Sequence, residues 1–176
     1  AMARRKKGIP IHGWLNIDKP AGITSAAVVN KVKWLTKAQK AGHAGTLDPF
    51  ATGVLPIALG EATKTIPFIV DDQKQYAFTA RWGIKTNTDD IEGEIVKSNP
   101  LRPESSDISI AIPKFLGVIV QIPPAFSAIT IDDEWAYTLA RTGEEISMPE
   151  REVEIFNLAP NQVLDTNHET FNVSCQ

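Results

Sequence analysis

Residues 42–56, GHAGTLDPFATGVLP, hold three glycines, two prolines, one histidine and a single carboxylate, Asp48. The acid follows His43 by five residues and stands between Leu47 and Pro49, with Phe50 next. Carboxylates are ionised at neutral pH. Among apolar neighbours such an acid could attack an electrophilic carbon or remove a proton, as glycosidase carboxylates do. Gly42, Gly45 and Gly53 would let the backbone turn sharply and a ligand approach closely. The other reading is an ordinary Asp-Pro turn, in which the Asp48 side chain accepts bonds from nearby N–H groups. Residue types alone leave the two level.

Other chemistries lack their residues. A phosphate-binding loop needs G-x-x-x-x-G-K-[ST], which neither GHAGTLDP nor GEATKT supplies. The G-x-S-x-G signature of many serine hydrolases is absent. His12, His43 and His168 are scattered, and one cysteine, Cys175, cannot build a cysteine-rich metal site or an internal disulfide. A lone thiol fits a reducing cytosol. The N-terminal basic run has no apolar stretch behind it, so no secretory signal is read. No apolar run approaches the roughly 20 residues of a membrane span.

The whole chain, 176 residues with 43% hydrophobic, suits about one globular domain. Net charge is −3, yet residues 1–40 carry nine Lys/Arg against one acid, Asp18, and the remainder is strongly acidic. That asymmetry points to a polyanion-facing surface or, more simply, to a solvated basic helix face and a tail. HGWLNIDKP alternates like a strand stopped by Pro20. Thr24 or Ser25 then caps a helix whose Val28, Val29, Val32 and Leu35 fall at helical spacing. Residues 38–52 read as loop, GVLPIALG as a short buried segment, and EATKTIPFIV as a helix interrupted at Pro67. In KQYAFTARWG, Tyr76, Phe78, Ala80 and Trp82 share one face of a strand. DISIAIPKFLG reads as helix, VIVQIPPAFSAITI as two strands around a double proline, and DEWAYTLARTG as a helix closed by Gly143. REVEIFNLAPNQVLD and ETFNVSC are two final strands. Without a βαβα rhythm, the expectation is an α+β fold with a mixed, largely antiparallel sheet.

The blocks GWLNIDKPAGITS, AGHAGTLDPFATGVLPIALGEATK, KQYAFTARWGIKTNTDDIEGE, IVQIPPAFSAI and MPEREVEIF resemble, in order and spacing, the TruB family of bacterial tRNA pseudouridine synthases. The resemblance runs from about Trp14 to Cys175. It implies the pseudouridine synthase fold and isomerisation of the T-loop uridine, position 55, of tRNA. That reaction is redox-neutral and implies neither cofactor nor metal. The resemblance makes Asp48 the catalytic acid, by attack on C1′ or by abstraction of a ribose proton. His43 would fill or brace the space left by the flipped nucleotide, and Tyr76 would stack on the uracil. Asp90 would belong to a polar network with the catalytic site, and Lys19 with Pro20 would buttress the loop of Gly45, Thr46, Leu47 and Asp48. The implied partner is the T stem-loop of tRNA, in the cytoplasm, with neither membrane nor obligate protein partner.

Two departures qualify the resemblance. Family members continue past FNVSC into a strand whose basic residue pairs with the catalytic aspartate, and then usually into an RNA-binding domain. On that ground residues 12–176 are expected to be part of a catalytic domain behind a flexible basic tail, 1–11. The segment SAITIDDEWAYTLARTG is acidic where the family is commonly cationic, which would weaken RNA binding. The alternative function is therefore a truncated, weakly active fragment that at most binds RNA. A third, a glycosidase-like hydrolase pairing Asp48 with Asp90, would release free uracil.

Overall fold

The computed structural model describes residues 8–70, 73–123, 130–131, 134–135, 149–165 and 167–176. The chain divides into two compact units, residues 1–72 and 73–176.

In the first unit, strand β1 (Gly13–Lys19) pairs antiparallel along its whole length with β3 (Gly53–Leu59), from Gly13↔Leu59 to Lys19↔Gly53. A short strand, β2 (Ala41–His43), lies on the other side of β3. The span 38–52, expected to be loop, thus contains a strand. Pro56 explains why β2 stops so soon. Its carbonyl accepts from Ala44 N at 2.9 Å, so its nitrogen faces the same side and has no hydrogen to return. The ladder ends there and the chain leaves the sheet as the Asp48 loop.

Helix α1 (Ser25–Thr36) lays Val28, Val29 and Val32 against Leu55, Ile57 and Leu59 of β3, with Leu47 packed at the margin. Leu35, expected on the same stripe, is 62% exposed. The helix ends at Lys37 in the left-handed conformation (φ 54°), and the chain turns so that Ala38 enters the core instead. Beyond β3, a 3-10 turn (Gly60–Thr65) leads to α2 (Ile66–Val70). Pro67 is the second residue of α2, where its missing N–H costs nothing, so it begins the helix rather than interrupting one. Residues 1–7 of the expected tail lie outside the described residues, while Ile9 bridges to Ala38.

The second unit is built on an antiparallel sheet of β4 (Lys74–Arg81), β11 (His168–Cys175), β10 (Arg151–Asp165) and β7 (Gly117–Gln121), in that order. β10 breaks register at three places, which lets a fifteen-residue strand follow the twist of its neighbours. Helix α3 (Ser105–Ala111) starts on a reciprocal capping box between Glu104 and Asp107, buries Ile108, and passes into a 3-10 turn at Ile112–Phe115. Two small hairpin pairs complete the described elements: β5 (Ile84–Thr86) with β6 (Ile95–Ser98), and β8 (Thr130–Ile131) with β9 (Glu134–Trp135). Glu134 and Trp135, expected to begin a helix, are therefore extended; residues 136–148 of that segment lie outside the described residues.

One face of this sheet is aromatic. Phe78 and Phe171 stand opposite each other across β4 and β11 and stack at 5.5 Å, and Trp82 meets Phe171 edge-on at 6.0 Å. With Tyr76, Val153, Ile155 and Val173 they line an open cleft of about 940 Å³ beside α3. No described helix is long and apolar enough to cross a membrane.

Candidate active site

Asp48 stands on the loop between β2 and β3. Each flanking peptide of that loop is tied to the turn joining β1 to α1. Before the acid, Leu47 donates its N–H to Ser25 Oγ and accepts from the same hydroxyl on its carbonyl, both at 3.0 Å. After it, the Pro49 carbonyl accepts from Gly22 N at 2.7 Å and from Lys19 Nζ at 3.3 Å. The turn itself closes through the backbone: Ala51 N donates to the Asp48 carbonyl at 3.0 Å. The carboxylate takes no part. Asp48 is exposed, and among the described residues its side chain makes no hydrogen bond or ion pair.

Lys19 explains how the clamp survives burial. It is the last residue of β1 and is fully buried, and among the described residues it makes no ion pair. Its Nζ donates instead to three carbonyls, of Pro20 (3.0 Å), Ile23 (2.8 Å) and Pro49 (3.3 Å), one for each ammonium hydrogen. Burying such a group is tolerable only when every hydrogen finds an acceptor. The consequence is that Pro20, Ile23 and Pro49 are gathered round one point.

His43, the last residue of β2, is half-buried, and its Nδ1 makes a short hydrogen bond to the Gly45 carbonyl. A carbonyl can only accept, so Nδ1 carries the hydrogen and Nε2 is the nitrogen left for a ligand. Gly45 has φ +87°, and a Cβ there would meet nothing within 4 Å. It is glycine for its backbone conformation rather than for space. Thr46 is exposed beside it. The first unit therefore brings Lys19, His43, Gly45, Thr46, Leu47 and Asp48 into one constellation.

Tyr76 and Asp90 belong to the second unit. Tyr76 lies on β4 opposite Val173, 43% exposed in the aromatic cleft. Asp90 sits in the β5–β6 connection, where its Oδ1 accepts from Thr88 Oγ1 at 2.6 Å and Glu92 N at 2.9 Å. Its backbone carbonyl accepts from Thr86 Oγ1 at 2.8 Å. Sequence reasoning singles out neither Ser25 nor the Gly22 amide. The one signal was the adjacent hydroxyls of Thr24 and Ser25, either of which could cap α1. Thr24 takes that task, with Ala27 N donating to its Oγ1 at 3.1 Å, which leaves Ser25 to turn inward.

The fold and this loop define a class. The chain superposes on a chain of a Cbf5–Nop10–Gar1 crystal structure with TM-score 0.67 and 26% identity, over 93% of this chain and 39% of that one. A second solved structure, an H/ACA ribonucleoprotein bound to a substrate RNA containing 2′-deoxyuridine, matches in fold at TM-score 0.64 and 22% identity, over 99% and 44%. The architecture is thus the α+β fold of the pseudouridine synthases. Within it, residues 33–176 match the family described as TruB family pseudouridylate synthase (N terminal domain), and the chain belongs to that family. It is 58% identical over 156 residues to tRNA pseudouridine synthase B of Rhizobium meliloti (strain 1021), covering 89% of this chain and 50% of the relative. The Ruegeria pomeroyi protein of the same name is 55% identical over 174 residues, 99% of this chain and 57% of its own length. The chain spans about half the length of the curated relatives it matches.

Proposed function

We propose that this chain carries the catalytic centre of a tRNA pseudouridine synthase that isomerises the T-loop uridine at position 55. The observation that carries the reading is the Asp48 carboxylate, exposed and without a bond among the described residues, on a loop whose flanking peptides are both tied down. Family membership and the relatives' names supply the substrate class.

In the proposed reaction the target nucleotide leaves the T loop, as base chemistry inside folded nucleic acid requires. Asp48 assists rupture of the N1–C1′ bond, by attack on C1′ or by removal of a ribose proton. The uracil turns, C5 bonds to C1′, the C5 hydrogen departs and N1 gains a proton. No oxidant, metal or cofactor is needed for that balance. Tyr76 stacks on the flipped base, a type of contact worth about 1–3 kcal/mol per base. His43 fills the vacated space, with Nε2 as the nitrogen available to RNA. Asp90 holds a polar network that supports the catalytic site. The setting is the cytoplasm and the partner the T stem-loop.

The test is tritium release from tRNA whose uridines carry tritium at C5. Release that depends on Asp48 and on the T-loop uridine is the expected result. No release, or release unchanged by Asp48→Asn, overturns the reading. Free uracil as product would instead mark a hydrolase.

A further inference from the structure

Two peptide planes meet at the Cα of Asp48, and together they aim its side chain. The plane after it is held twice: Ala51 N donates to the Asp48 carbonyl at 3.0 Å, and the Pro49 ring biases Asp48 toward extended ψ. The plane before it contains the Leu47 carbonyl. Among the described residues the only hydrogen bond to that plane comes from Ser25 Oγ, at 3.0 Å. The same hydroxyl accepts from Leu47 N, so the preceding plane is fixed as well.

Ser25 is well suited to serve as a reference point. It is 3% exposed and is the first residue of α1, whose Val28, Val29 and Val32 are embedded in the core. A hydroxyl, with one donor and two acceptor sites, can satisfy the N–H and C=O of one residue at once. An alanine has neither, and a half-buried amide and carbonyl would then lose their partner.

We propose that Ser25 is a positioning residue for Asp48: through the Leu47 peptide it sets the φ of the acid, and so the direction of the carboxylate toward the ribose. This rests on the function proposed above and adds to it a residue that touches no substrate. A carboxylate displaced by about 1 Å at a reacting centre can cost on the order of 100-fold in rate. Substrate binding, made elsewhere, should not follow.

The experiment compares the parent protein with Ser25→Ala, Ser25→Thr and Asp48→Asn. Single-turnover tritium release at saturating tRNA is measured beside tRNA Kd and amide hydrogen exchange, at a temperature where circular dichroism shows all four folded. For Ser25→Ala the expected result is a rate lower by about 10- to 100-fold. The Kd should stay within about twofold and the Leu47 amide should exchange faster, while the α1 amides are unchanged. Ser25→Thr, which keeps the hydroxyl, should recover most of the rate. The proposal is overturned if Ser25→Ala keeps its rate within about twofold, or if Leu47 exchange does not change. It is also overturned if rate and α1 protection fall while Kd rises, since that marks loss of structure. An active parent with an inactive Asp48→Asn and a fully active Ser25→Ala would sink this proposal alone. A parent without activity would sink the functional reading and this one with it.

Discussion

The loops that hold Asp48 and Asp90 both place an acid next to a strand, and they use opposite parts of the residue. Around Asp90 the carboxylate does the structural work, accepting from Thr88 Oγ1 and Glu92 N to shape the β5–β6 connection. Around Asp48 the backbone and distant side chains do it: Ala51 N closes the turn, and Ser25, Gly22 and Lys19 hold the peptides on either side. Their glycines differ in the same sense. A Cβ on Gly45 would meet open space, so only its positive φ calls for glycine, whereas a Cβ on Gly93 would run into Thr88 Oγ1 and Asn87 Oδ1. A loop whose acid closes its own turn is locally self-sufficient. A loop whose acid is left free must borrow its order from elsewhere in the fold. That is the arrangement expected where a carboxylate is reserved for chemistry.

Substitutions can break or sharpen this contrast. The largest effect should come from Asp48→Asn. Tritium release should fall by at least about 10²- to 10⁴-fold, the range for loss of a proton-transfer or nucleophilic group. Because the carboxylate makes no bond among the described residues, unfolding free energy by urea titration should move by less than about 0.5 kcal/mol. A large stability change there would dissolve the contrast. Next in size is Lys19→Met, which leaves the carbonyls of Pro20, Ile23 and Pro49 without their shared donor. A destabilisation of about 3 kcal/mol in the same titration is expected.

Asp90→Ala should show the reverse pattern to Asp48→Asn on stability. Losing two acceptor bonds should cost about 1–2 kcal/mol, with faster exchange at the Glu92 amide. Unaltered Glu92 exchange would mean that the turn does not depend on the acid. The smallest effect is expected from Thr24→Ala, a lost N-cap worth about 1 kcal/mol. Its exchange signature should be confined to the first turn of α1 and leave Leu47 protected. Acceleration at Leu47 would show that the capping and clamping hydroxyls are one unit rather than two.

Elements whose side chains alternate between two faces are legible in the order of residues itself. The alternation in 13–19 marks β1, and Tyr76 and Phe78 of β4 do line the cleft together with Trp82 just beyond the strand. The strands at 151–165 and 168–175 likewise follow from their β-rich composition. Leu35 misleads because helical spacing predicts a face but not where the face ends; the turn at Lys37 hands its place to Ala38. β2 is hidden because three residues, one of them Gly42, carry too little pattern for a period of two to show. Glu134 and Trp135 pair with Ile131 and Thr130, a choice made by a cross-strand neighbour rather than by local helix preference.

The site divides along the same line. From sequence alone came the lone acid, its glycines and the family blocks around it, because residue identity and spacing are one-dimensional facts. Which groups hold that acid in place was not readable there. Ser25 reaches Leu47 across 22 positions, and Lys19 reaches Pro49 across 30. Such partners are chosen when burial on the β1–β3–β2 sheet brings two loops together and every polar group taken from water must find another. That requirement exists only in the folded chain, and it met the needs of the peptides around Asp48 with groups other than its carboxylate, which makes no bond among the described residues.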